Sequence, residues 1–148
     1  VDARIEFVAD PSGKVTALIL HQNGDQLAPR VEADVAQAFA RALAVRLVTQ
    51  AALPGSEAAV HELIDWVASG EPDYARMTPQ LASAMRSALP TLRQSLATLG
   101  PVVAVQFIGV GSQGWDLYQL KHEHGMSQVR IALDSRGLIS GALMTAGP

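Results

Sequence analysis

A chain of 148 residues, 49% hydrophobic and 17% charged, carries enough apolar material for one ordered domain that buries roughly 70% of its unfolded surface. Fourteen acidic against eleven basic residues give a net charge of -3, and no Lys/Arg cluster exists to neutralise phosphates, so nucleic acid and anionic membrane surfaces are poor partners. The lack of cysteine excludes disulfides, thiolate chemistry and sulfur-held zinc.

Residues Arg4 to Phe7 alternate polar and apolar, and Lys14 to Leu20 are rich in β-branched and aliphatic side chains. The turn Asp10-Pro11-Ser12-Gly13 between them predicts a β-hairpin, and Asn23-Gly24-Asp25 marks its exit because Asn-Gly readily supplies positive φ angles. From Val31 to about Ala52 the composition turns to Ala-rich helix, with Val35, Phe39, Leu43 and Leu47 on one stripe. Leu53-Pro54-Gly55 stops it, and Ser56 is placed to cap a second helix whose apolar face is Val60, Leu63, Ile64 and Val67, ended by Gly70.

After the loop Glu71-Pro72-Asp73-Tyr74, Thr78-Pro79 opens a third helix with an N-cap hydroxyl and a first-turn proline. Its stripe of Leu81, Met85, Leu89, Leu92, Leu96 and Leu99 runs straight through Pro90, which predicts one kinked helix. Gly100-Pro101 ends it. Four strands follow, about Val102 to Ile108, Trp115 to His122, Met126 to Leu133 and Leu138 to Met144, too closely spaced for crossovers, so they form an antiparallel meander. The turn Asp134-Ser135-Arg136-Gly137 repeats the punctuation of Asp10 to Gly13. The predicted fold is thus α+β: helices on one face of a curved, cone-like four-stranded antiparallel sheet, preceded by a hairpin and an Ala-rich helix. The expected organisation is residues 1–30 as hairpin, 31–53 as connecting helix and 54–148 as the α+β domain.

The run Gly109-Val110-Gly111-Ser112-Gln113-Gly114 matches a dinucleotide fingerprint in letters only. The Trp115 to Leu120 segment after it has strand character, whereas a pyrophosphate needs a helix N-terminus there, so no nucleotide or other cofactor is expected. His122-Glu123-His124 offers two imidazoles without a third ligand in view and reads as a solvated hairpin end, so no metal is expected either. There is no Gly-x-Ser-x-Gly elbow to expose a nucleophile.

Asp116, Tyr118 and His122 share parity on one strand and therefore one face. A carboxylate, a phenol and an imidazole are the groups that proton abstraction beside a carbonyl uses. The plainer reading makes Tyr118 a core residue, with Asp116 at a wetter strand end and His122 exposed. Trp66 and Tyr74 complete the candidate pocket as aromatic walls, or else pack as ordinary core aromatics.

Several segments in order, Pro54-Gly55-Ser56-Glu57, Gly70-Glu71-Pro72-Asp73-Tyr74, Met77-Thr78-Pro79, Leu89-Pro90-x-Leu92, Leu99-Gly100, Gly114-Trp115-Asp116-Leu117-Tyr118 and Arg130-Ile131-Ala132-Leu133-Asp134, together resemble a nuclear-transport-factor-two-like (cystatin-like) domain. Such domains are appended to bacterial serine hydrolases of the β-lactamase and penicillin-binding class. The opening stretch from Phe7 to Gly24 looks like the hairpin tail that ends the domain following those hydrolases. The resemblance implies an extracytoplasmic (periplasmic or secreted) accessory module, since the hydrolases' Ser-x-x-Lys motif is absent. His122 and Val129 stand where the pattern has aromatic residues. The expected function is non-catalytic: a module holding a small apolar ligand or docking a partner, such as an adjoining hydrolase domain or a second copy through the sheet. The alternative is a small ketosteroid-isomerase-like isomerase or lyase with Asp116 as base and Tyr118 as oxyanion donor. A start at Val1 reads as a processed form or a piece of a longer chain.

Overall fold

The computed structural model describes residues 3–21 and 25–147, so the predicted Asn23-Gly24 turn lies outside the described residues. The chain divides into two compact units, Val1–Ala42 and Leu43–Pro148, and the division falls within the first long helix.

The first unit holds a three-stranded antiparallel sheet, β1 (Arg4–Ala9), β2 (Val15–His21) and β3 (Asp25–Pro29), and the start of α1 (Ala33–Thr49). The third strand extends the expected hairpin. Its sequence, Asp-Gln-Leu-Ala-Pro, has little β-propensity of its own and is held by pairing along β2 from Ala17–Pro29 to His21–Asp25. No described residue of this unit is buried; Ile5, Phe7 and Leu27 remain more than half exposed. The predicted stripe of α1 does not enter a core, for no residue of that helix is buried and Val35 and Phe39 stand open.

The second unit is the expected α+β body. Its sheet runs β4 (Val102–Val110), β5 (Asp116–His122), β6 (Gly125–Leu133) and β7 (Ile139–Ala146) in an antiparallel meander with that spatial order. Helix α2 (Ser56–Ser69) lies against β6, and α3 (Pro79–Leu99) lies against β7. Helix α3 passes Pro90 without a break in helical structure. Alternation on the sheet sends Tyr118 and Leu120 of β5, Val129 and Ile131 of β6 and Ile139 of β7 toward the helices, where they meet Val60, Leu63, Val67, Met85 and Leu96.

Two capping expectations are corrected. Gly55, at φ 84°, occupies the N-cap position of α2 and Ser56 is already helical, with its hydroxyl turned to the core. Thr78 is the N-cap of α3 with Pro79 next, yet its side chain makes no cap bond; instead its N–H donates to the Ile139 carbonyl (2.9 Å), fastening the helix start to β7.

Candidate functional site

The β5 face carries the sequence-predicted residues, and the structure places all of them inside. Asp116 and Tyr118 are 0% exposed and His122 is 2% exposed, so neither the wet strand end expected for Asp116 nor the solvated position expected for His122 is found. Parity puts the three on one face, but each points at a different partner. The Asp116 carboxylate accepts from Arg46 Nη2 (2.5 Å) at one oxygen and from the Leu53 N–H (2.8 Å) at the other. Arg46 also donates to the Gly114 carbonyl (2.9 Å). The Tyr118 and Ser56 hydroxyls share a hydrogen bond of 2.6 Å, and the Phe107 and Tyr118 rings meet in an edge-to-face arrangement with centroids 5.4 Å apart.

His122 Nδ1 lies 3.0 Å from the Gly100 carbonyl, which only accepts, so that nitrogen carries the hydrogen. The Ser127 hydroxyl, 2.7 Å from Nε2, completes the ring. Burial pushes the Tyr118 phenol above its ordinary value, an effect that the Ser56 hydrogen bond opposes and the Asp116 carboxylate adds to. The column formed by Asp116, Tyr118 and His122 thus ties the middle of the sheet to the end of α1, the start of α2 and the end of α3. Every buried side-chain polar atom among the described residues has a partner.

The aromatic walls lie elsewhere. Trp66 and Tyr74 are half-buried against the outside of the core, and the Arg86 guanidinium sits 4.1 Å over the Tyr74 ring. His124 is exposed in the β5–β6 turn, whereas His122 is buried. Among the described residues no group of three or more His, Asp or Glu side chains could hold a metal. The glycine run from Gly109 to Gly114 spans the end of β4 and the β4–β5 connection, closed by the Gly114 N–H on the Gly111 carbonyl (2.8 Å), and a strand follows it.

Open space is found instead between the C-terminal halves of α2 and α3. A cavity of about 550 Å³ is lined by Ile64, Val67 and Ala68 of α2, by Leu96 and Ala97 of α3, and by Val102 where β4 begins. Both helices use the same geometry, because 64/67/68 and 93/96/97 are i, i+3, i+4 sets that place three residues on one face. Arg93 is the third member on α3 and the one charged side chain of the lining. A smaller hollow of about 150 Å³ shares Ile64 and Val67 with it and is otherwise lined by apolar side chains such as Met85, Leu92 and Met144. Neither space touches Asp116, Tyr118 or His122.

The apolar faces of both helices were legible in sequence, but the cavity was not. Its lining joins residues of α2, α3 and the start of β4, and two alanines in it, Ala68 and Ala97, lie on different helices and give no periodic signal. Comparison with protein-family models, with curated proteins and with solved structures finds no match to this chain.

Proposed function

We propose that this chain is a non-catalytic binding module whose ligand enters the apolar cavity between α2 and α3. One observation carries the reading: a space of about 550 Å³, within the roughly 300–1,000 Å³ range of small-molecule sites, is lined mostly by apolar side chains with Arg93 and Gln94 among them, while Asp116, Tyr118 and His122 of β5 are enclosed and paired. The accessory role beside a serine hydrolase, and with it an extracytoplasmic setting, remains part of the proposal on the sequence resemblance alone.

Proton abstraction by Asp116 has less support. A general base needs a lone pair facing the space where a substrate proton lies, and both Asp116 oxygens are engaged by Arg46 and the Leu53 N–H with no exposed surface. The test uses N-phenyl-1-naphthylamine, a neutral apolar fluorophore whose emission rises out of water. Saturable enhancement with the native chain is expected, lost in Ala97→Trp, where the exposed Ala97 is replaced by a ring that fills the cavity mouth. Absence of enhancement, or equal enhancement in the variant, would refute the assignment.

A further inference from the structure

From the placement of Arg93 we infer that the ligand is a single-chain amphiphile with an anionic head, of the carboxylate class, its head held by the guanidinium and its chain lying along Ile64, Val67 and Leu96. The inference rests on the cavity being a binding site and adds the chemistry of its occupant.

Arg93 is exposed and makes no ion pair or hydrogen bond among the described residues, so its N–H donors are free at the edge of an otherwise mostly apolar lining. It is nevertheless placed. A Cβ on Gly70 would stand 2.9 Å from Arg93 Nη1 and 3.0 Å from Cζ, so the guanidinium lies against the bare backbone that ends α2. Gly70, at φ 81°, is the left-handed C-cap of that helix, a conformation that favours glycine, and glycine has no side chain to displace the guanidinium. A planar fork of donors beside an apolar slot fits a carboxylate in two-point contact. A neutral apolar ligand would leave that cation unused.

The hollow beyond Ile64 and Val67 extends the argument from head to tail. Its lining contains no charged side chain, and Met85 and Met144 are flexible enough to repack around an alkyl chain. Polarity therefore runs in one direction, from Arg93 at the rim to methionine and leucine inside.

The test is displacement of N-phenyl-1-naphthylamine by octanoate and by methyl octanoate, which differ in the charge of the head. The native chain is expected to need roughly tenfold less octanoate than ester for half-displacement. Arg93→Gln should abolish that preference by weakening octanoate roughly tenfold relative to the ester. Added salt should narrow the preference in the native chain, as for an exposed charge pair. If the fluorophore binds and acid and ester displace it equally, the anionic head is overturned while the cavity reading stands. If the fluorophore does not bind at all, both fall.

Discussion

The two Asp-x-x-Gly turns are built alike, and the sheets they serve are not. In the first, Asp10 Oδ1 accepts from the Ser12 N–H (2.9 Å) and the Lys14 N–H (3.1 Å), and the Gly13 N–H closes on the Asp10 carbonyl (2.9 Å). In the second, Asp134 Oδ1 accepts from the Arg136 N–H (2.9 Å) and the Leu138 N–H (2.9 Å), and the Gly137 N–H closes on the Asp134 carbonyl (3.0 Å). Gly13 and Gly137 sit at φ 84° and 78°. Yet the first turn joins strands with no buried residue, and the second leads into Ile139 at the centre of a core. Local side-chain-to-backbone bonding determines a turn, but it does not determine whether anything packs on the strands that follow.

The difference is sharpest where a core holds a charge. Arg46→Ala should remove about 3 kcal/mol from the unfolding free energy of the second unit, because it leaves a carboxylate with no exposed surface facing only the Leu53 N–H. Urea unfolding followed by β5 amide signals measures this; the β1–β2 amide shifts should stay put, and a loss under about 1 kcal/mol would deny the buried pair its role. Tyr118→Phe should cost about 1–3 kcal/mol by stranding the Ser56 hydroxyl, and adding Ser56→Ala should recover part of it. The Tyr118 phenol also predicts an alkaline effect. Its folded pKa is raised, so its contribution is complete below the unfolded value near 10 and is lost as pH rises through the folded one.

Gly13→Ala and Gly137→Ala test the comparison directly. A Cβ at either position meets nothing within 4 Å, so both carry the same backbone penalty of about 1 kcal/mol for a side chain in the left-handed region. Only Gly137→Ala should lower the melting temperature of the second unit; Gly13→Ala should register as faster amide exchange in β1 and β2 alone. The smallest effect is acid titration. Hydrogen bonding by the Ser12 side chain and the Lys14 and Ser12 N–H groups lowers the Asp10 carboxyl. At Asp134, partial burial acts upward and is outweighed by the Arg136 side chain and the Leu138 and Arg136 N–H groups. Both carboxyl carbons should titrate below 3.8, so each turn's bonding is intact above the unfolded value and fails as pH falls through the folded one.

Sequence reasoning recovered what is local and missed what is paired at long range. Parity placed Asp116, Tyr118 and His122 on one face, and that placement holds. The core position read for Tyr118 also holds, but the burial of Asp116 and His122 was illegible because it depends on Arg46, Leu53 and Gly100, which lie 22 to 70 residues away along the chain. Ser56 illustrates the point: a serine before an apolar helix reads as a cap, and only the fold reveals a tyrosine hydroxyl within its reach. The Ala-rich stripe of α1 fails in the opposite sense, since helical periodicity shows that a helix has an apolar side without showing that anything covers it.

In the second unit a buried polar column on β5 lies apart from the mostly apolar cavity between α2 and α3 that is proposed as the binding site. Methyl chemical shifts during titration with N-phenyl-1-naphthylamine test that separation most directly, because the aromatic rings shift any methyl they approach. Large shifts are expected at Ile64, Val67, Leu96 and Val102, with little change at Leu117 and Leu120 of β5. Shifts centred on Leu117 and Leu120, with Ile64 and Val102 unmoved, would contradict that separation.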